Sequence, residues 1–314
     1  MSSHPLVSVI VPVFNASGTI NKCLRSLLGQ TMRNIEIILV DDGSTDDSGS
    51  ICNRYARSDS RIVCIHKPNG GTASARQAGI EKASGVYMIH ADPDDWVEKS
   101  MLEELYSKAV EEKADMVICD YFVNYSSKSR YISQKPSSYR PEEIVDELFH
   151  RLHGSLWNKM IKTSCYRNNS ITFQKGVNYC EDKLFNIKLL MDGVNKVSYI
   201  HRAYYHYVQN SGSYTGNENP KWLSLFNAYQ QEVTELLRQY KKDYLVEQVK
   251  ADKLTGMIKH PAISEEQFKE ALRERVNWKN VTISKPMRLL IKIAEISSLK
   301  LAQKLYRILE RLPH

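Results

Sequence analysis

Residues 86–95 read Val-Tyr-Met-Ile-His-Ala-Asp-Pro-Asp-Asp. An apolar run suited to a buried strand gives way at once to three carboxylates. Carboxylates this close raise one another's pKa, and a divalent cation reverses that penalty. Asp92 and Asp94 are two apart, so in extended chain both side chains project from one face. Pro93 fixes its own φ and holds Asp92 extended. A hard cation such as Mg2+ or Mn2+ takes oxygen ligands of this kind and completes its shell with substrate phosphates. The competing reading is an acidic strand-to-helix turn, with one carboxylate capping a helix from about Glu98.

Upstream of this stretch, residues 6–14 (Leu-Val-Ser-Val-Ile-Val-Pro-Val-Phe) form a nearly continuous apolar strand, as in a parallel sheet covered on both faces. Asn15-Ala16-Ser17 turns the chain into an amphipathic helix with Ile20, Leu24, Leu27 and Leu28 on one side. A second strand, Ile35 to Val40, ends in Asp41-Asp42-Gly43-Ser44-Thr45-Asp46, and the next helix carries Ile51, Cys52 and Tyr55. Arg61 to His66 is a third strand, and Gly70-Gly71 opens a helix through Ala73, Ala75, Ala78, Gly79 and Ile80. Strand and helix thus alternate four times in roughly ninety residues, which predicts a doubly wound α/β sheet. Ligands of such sheets bind beyond the carboxyl ends of the strands. Asn15, Asp42, the loop before Arg76, and Asp92 with Asp94 all follow strands. Downstream, a helix over 98–112 and a strand over 115–123 continue the pattern. The polar segment 125–140 reads as an exposed connection, Pro141 begins a short helix, and the pattern is helical after about residue 214, with breaks near Pro261 and Asn280.

The chain has 314 residues, 42% hydrophobic and 25% charged, which fits a soluble globular protein with a substantial core. No apolar run reaches the roughly 18 residues that span a bilayer, and the start lacks the basic and apolar segments of a secretory signal. Six scattered cysteines without a Cys-x-x-Cys argue against structural zinc and for a cytosolic setting. The net charge of +7 is uneven: from Lys279 onward, eight Lys/Arg stand against Glu295 and Glu310. In that stretch Met287, Leu290, Ile291, Ala294, Leu301, Leu305, Ile308 and Leu309 recur at helical spacing. Residues 285–311 therefore suit an anionic membrane surface on its cytoplasmic side, or pack on the rest of the chain or a dimer partner. Nucleic acid is not expected, because the cations are not interleaved with a stacking platform.

Five stretches together resemble the family 2 glycosyltransferases of GT-A fold. They are Val7-Ser8-Val9-Ile10-Val11-Pro12-Val13-Phe14-Asn15, Ile38-Leu39-Val40-Asp41-Asp42-Gly43-Ser44-Thr45-Asp46, Asn69-Gly70-Gly71 with Ala75-Arg76-Gln77-Ala78-Gly79, Asp92-Pro93-Asp94-Asp95-Trp96, and Glu181-Asp182-Lys183-Leu184-Phe185. The resemblance implies a GT-A (Rossmann-like) doubly wound mixed sheet over 1–215, with a nucleotide-binding half (1–123) and an acceptor half (124–215). A helical extension over 216–314 would follow. It also implies an inverting transferase that takes a nucleotide sugar, with UDP the expected nucleotide, and a glycan or lipid-linked glycan acceptor. On this reading Pro12, Phe14 and Asn15 border the nucleobase, Asp42 accepts from it, and Arg76 meets the diphosphate at a helix start. Asp92 faces the ribose or the metal, Asp94 ligates Mn2+ or Mg2+, and Asp95 caps the next helix. Asp182 is the general base, with Glu181 beside it. Trp157 either stacks on a sugar or packs in the core. His206 either joins the metal shell or is structural. Asn210-Ser211-Gly212-Ser213 resembles a loop that closes over the donor.

A sugar-1-phosphate nucleotidyltransferase would need a glycine-rich basic loop where Pro12-Val13-Phe14-Asn15 stands, and a Rossmann dehydrogenase would need Gly-x-Gly-x-x-Gly there. A non-catalytic carbohydrate-binding or partner-binding relative of the fold is the other alternative.

Overall fold

A computed structural model describes residues 4–167, 170–209 and 219–310. The chain divides into two compact units, Met1–Asn210 and Ser211–His314.

The first unit is a mixed α/β layer structure. Its elements in order are β1 (Val7–Val13), α1 (Ile20–Leu28), β2 (Ile35–Asp41), α2 (Ser48–Ser58), β3 (Ile62–His66), α3 (Thr72–Lys82), β4 (Tyr87–His90) and β5 (Trp96–Val97). There follow α4 (Met101–Glu112), β6 (Met116–Asn124), β7 (Ser129–Ile132), α5 (Pro141–Glu147), β8 (Lys159–Lys162), α6 (Thr163–Arg167), α7 (Glu181–Lys188) and β9 (Val197–Val208). Among the described residues, nine strands form one sheet in the order β3-β2-β1-β4-β8-β6-β9-β5, with β7 paired to β6. Strands β3, β2, β1 and β4 are parallel, and β8 runs antiparallel between β4 and β6.

Every residue of β1 is buried, as expected for a parallel strand with helices on both faces. Gly79 lets α3 settle closely on that strand: a Cβ there would lie 2.4 Å from Ile10 Cγ2. Because β1, β2 and β4 are parallel and in register, the loops after Val13, Asp41 and His90 emerge at one edge of the sheet. The far half of the sheet brings β9 to the same region, since Trp96 pairs with His206 and Val97 with Tyr205.

Two expectations need correction here. Segment 125–140 is not simply a connection, because β7 pairs antiparallel with β6 from Tyr121↔Ile132 to Asn124↔Ser129. Helix α4 begins at Met101 rather than near Glu98, because Trp96 and Val97 are drawn into the sheet by β9.

The second unit is helical: α8 (Trp222–Gln239), α9 (Val246–Lys259), α10 (Glu265–Leu272), α11 (Lys285–Ile296) and α12 (Leu299–Glu310). The Ser264 side chain caps α10 through a reciprocal pair with Gln267, and Ser284 caps α11. Trp222, Phe226, Tyr229 and Val233 of α8 are buried, as are Val249, Leu254, Met257 and Ile258 of α9. Among the described residues, no helix is long and apolar enough to cross a membrane.

Candidate active site

The sheet edge is stitched together by short polar side chains. Pro12 is buried within β1, and Phe14 just beyond it is 50% exposed. Asn15 takes a left-handed φ of 48°, and its Oδ1 accepts from Thr45 N at 2.8 Å. Its own N–H donates to Ser44 Oγ at 3.1 Å, so the loops after β1 and β2 are held as one surface. Asp41 makes the local turn, accepting from Ser44 N at 3.1 Å and pairing with His66 Nδ1 at 2.8 Å. Asp42 does something else. Its buried carboxylate accepts the N–H groups of Gly70 and Gly71 and the Lys67 ammonium. The arrangement differs from an open acceptor aimed at a base: Asp42 anchors the glycine loop to the end of β2. Gly71 is required there, with φ +84° and a hypothetical Cβ 2.3 Å from Asn178 Oδ1.

The Gly70-Gly71 loop leads into α3, whose Arg76 is 5% exposed. Arg76 Nη1 donates to Glu181 Oε1 at 2.7 Å and Nη2 to Asp92 Oδ1 at 3.0 Å. Burial works against its charge, but Asp92, Glu181 and Asp182 together hold the guanidinium firmly protonated. Among the described residues, its Nε has no hydrogen-bond partner. Arg76 is thus committed to two carboxylates, where the sequence suggested a phosphate-facing cation. The result is that the acidic turn after β4 and the start of α7 are locked together.

Asp92, Asp94 and Asp95 differ sharply in setting. Asp92 and Asp94 are partly exposed, whereas Asp95 is buried. Asp95 does not cap α4. Its Oδ2 accepts from Tyr205 Oη at 2.7 Å and its Oδ1 from Val208 N at 2.7 Å, both on β9. The same Tyr205 hydroxyl accepts from the Asp92 backbone N–H at 2.9 Å. Burial, with the Asp92 and Asp94 charges added, pushes the Asp95 carboxyl up to about 8.

Burial bears on two aromatic expectations. Trp157 is 3% exposed and stacks on Tyr205, with ring centroids 4.3 Å apart, which is the packing of a core residue rather than of a platform open to a sugar. His206 lies between Trp96 (3.4 Å, 9° between planes) and Phe122 (4.8 Å, 21°). Its Nε2 is engaged by Glu98 Oε1 at 2.9 Å. With both faces covered and that nitrogen occupied, His206 reads as structural rather than as a metal ligand. The loop 210–213 lies outside the described residues.

Glu181 and Asp182 form the first turn of α7, after Cys180 in left-handed conformation (φ 52°). Burial and the adjacent Asp182 charge raise the Glu181 carboxyl, while Arg76 pulls it down. Asp182 Oδ1 accepts from Lys183 N at 2.8 Å. The helix is positioned by a network that sequence reading overlooked. Lys159, fully buried, donates to His153 O (2.8 Å), Ser155 O (2.7 Å) and Asn158 Oδ1 (2.9 Å). Burial pushes its ammonium down to about 7, with Asp182 opposing the fall. Asn186 of α7 donates to Gly154 O at 2.7 Å, clamping that loop to the helix. A lysine between Trp157-Asn158 and the apolar Met160-Ile161 is the one signal in the sequence that could have pointed to it.

Whether this site fits a divalent cation can be judged from its donors. Among the described residues no three His, Cys, Asp or Glu are arranged to cage an ion. Asp92 and Asp94 offer partly exposed carboxylate oxygens at one turn, beside a buried acid whose pKa they raise. That set fits a hard cation held by one or two carboxylates and substrate phosphates.

The sequence profile for glycosyl transferase family 2 matches residues 8–171, more than half of the chain and most of the edge just described. The chain belongs to glycosyl transferase family 2. Among its family relatives, the glycosyltransferase EpsJ of Bacillus subtilis is 34% identical over 218 residues, which is 67% of this chain. The matched part is 63% of that relative's length, so it spans less than two thirds of EpsJ. Among solved folds, Staphylococcus aureus TarS 1–349 in complex with UDP-GlcNAc aligns at TM-score 0.66 and 21% identity, covering 96% of this chain and 91% of TarS 1–349. A mannosyltransferase from Pyrobaculum calidifontis in complex with GDP-Man and Mn2+ aligns at TM-score 0.56 and 15% identity, covering 99% and 89%. Both likenesses place this family 2 chain in the GT-A fold.

Proposed function

We propose that this family 2 chain is an inverting glycosyltransferase that moves a sugar from a nucleotide sugar, UDP-linked, to a hydroxyl of a glycan or lipid-linked glycan in surface-polysaccharide synthesis. The observation that carries the reading is the Arg76 guanidinium, which joins Asp92 to Glu181 and so sets the donor-side turn beside Asp182. The UDP-GlcNAc and GDP-Man complexes of the two fold neighbours support a nucleotide-sugar donor.

In this reading the exposed Phe14 and the Asn15 loop line the base, and the Gly70-Gly71 loop held by Asp42 supports the nucleotide. Asp94, with Asp92, would hold Mn2+ or Mg2+, and the Mn2+ in the mannosyltransferase complex supports a divalent cation in this reading. The cation would neutralise charge on the departing nucleoside diphosphate. Arg76 fixes Asp92 so that the acidic turn does not spread under its own repulsion. Asp182 takes the proton of the acceptor hydroxyl as its oxygen attacks the anomeric carbon and the bond to the diphosphate breaks. One displacement inverts the sugar, so an α-linked donor yields a β-linkage. Glu181, tied to Arg76, is not free to serve as the base and positions Asp182 instead.

A thermal-shift and hydrolysis screen against nucleotide sugars, with and without Mn2+, tests the reading. Metal-dependent stabilisation by a UDP-sugar, with slow release of UDP, is expected. No response to any nucleotide sugar in the presence of metal would return the chain to a binding relative of the fold.

A further inference from the structure

Helices α11 and α12 each bury one apolar stripe and expose a second. On α11, Met287, Leu290, Ile291 and Ala294 are buried, yet Leu289 is 59% and Ile296 78% exposed. Leu289 and Ile296 are seven apart, two turns along one side of the helix, and Lys285 and Lys292 share that side. On α12, Leu299 and Ala302 are buried, while Leu301 (44%) and Ile308 (52%) are exposed, again seven apart and with Lys304 between them. Arg288, Lys300 and Arg307 flank these positions, and Glu295 and Glu310 are the only acids in 285–310. The buried stripes answer half of what the sequence left open: part of the expected membrane-facing pattern, Met287 to Ala294, packs within its own unit.

We infer that the exposed faces of α11 and α12 dock on an anionic lipid bilayer. Exposed aliphatic pairs interleaved with lysines match both layers of such a surface, acyl chains below and negative headgroups around them. A second copy of this chain would set six cations against six. A nucleic acid would leave the aliphatic side chains in water. The surface that satisfies both the charge and the apolar area is the bilayer.

Vesicle flotation of the full chain tests this, with phosphatidylcholine vesicles compared against vesicles that also contain phosphatidylglycerol. The parent protein is expected to float only with the anionic vesicles and to be released by salt. Lys292→Glu with Lys304→Glu should weaken partition by about fivefold or more for each cation removed. Leu289→Ser, Ile296→Ser, Leu301→Ser and Ile308→Ser together should abolish flotation while the circular dichroism melt stays at the parent value. No flotation, equal flotation with neutral vesicles, or unchanged flotation of both variants would overturn the inference. So would a parent dimer in sedimentation that the four serines dissociate, which would assign the face to a second copy.

Discussion

Arg76 and Glu181, 105 positions apart in the chain, meet at 2.7 Å, and the same guanidinium reaches Asp92 at 3.0 Å. Arg76→Ala leaves two partly buried carboxylates facing each other without a cation. Removing one partner of a buried ion pair costs about 3–5 kcal/mol. Arg76→Lys should recover only part of this, because one ammonium cannot reproduce the planar fork that spans two acids. Urea unfolding of the three proteins measures both, and a loss below about 1 kcal/mol for Arg76→Ala would show that the contact behaves as a surface pair.

Tyr205 holds the acidic turn through one oxygen, donating to Asp95 and accepting from the Asp92 N–H. Tyr205→Phe keeps the ring that stacks on Trp157 and removes only that oxygen. One buried carboxyl oxygen and one part-buried N–H lose a partner, at about 1–3 kcal/mol for a buried group left unsatisfied. The same change should weaken nucleotide-sugar affinity, since Asp92 is no longer held from β9. Unfolding and calorimetry on one variant check both effects, and an unchanged midpoint would mean another group takes the place of the hydroxyl.

The Asp41–His66 pair gives a pH signature. Its hydrogen bond to Asp41 raises the His66 pKa, and Asp41 is lowered despite its burial, by Ser44 and His66. A raised imidazole stabilises the fold fully below its unfolded value near 6.5, and that contribution is lost as pH rises through the folded pKa. The lowered carboxylate contributes above about 3.8 and is lost in acid. His66→Gln should therefore be less stable than the parent at pH 5 to 6, with the gap closing toward pH 8. Paired thermal melts across that range test the direction, and a gap that widens with pH would contradict it.

Asp94→Ala should abolish Mn2+-dependent UDP binding without unfolding the chain, since Asp94 is partly exposed at the turn. Titration calorimetry with and without Mn2+ reads this out. Unchanged affinity in the presence of the metal would remove Asp94 from the cation site.

Much of this was legible because apolar strands buried on both faces announce themselves. The runs at 6–14, 35–40, 61–66 and 86–91 became β1 to β4 within a residue or so, and the polar residues following them fell at one edge. The antiparallel half was less visible. Strand β9 reads Val-Ser-Tyr-Ile-His-Arg-Ala-Tyr-Tyr-His-Tyr-Val, and its register against β6 slips on either side of Asp120, which breaks the alternation a strand usually shows. Asp95 looked like a helix cap because it follows a strand and precedes a helical pattern. Only the pairing of Trp96 and Val97 with β9, more than a hundred residues later, turns it inward to Tyr205. Lys159 escaped notice for the same reason: three acceptors around its ammonium are assembled by a loop whose shape is tertiary.

The central claim is that Asp182 removes the acceptor proton at a site whose nucleotide sugar is held by other residues. Asp182→Asn preserves size and the hydrogen bond from Lys183 N while removing the base. Donor affinity by calorimetry should stay within about twofold of the parent, and kcat for sugar transfer or donor hydrolysis should fall by roughly 10²–10⁴. Near-normal turnover in this variant would contradict the account and leave Asp182 as an acidic residue at a helix start.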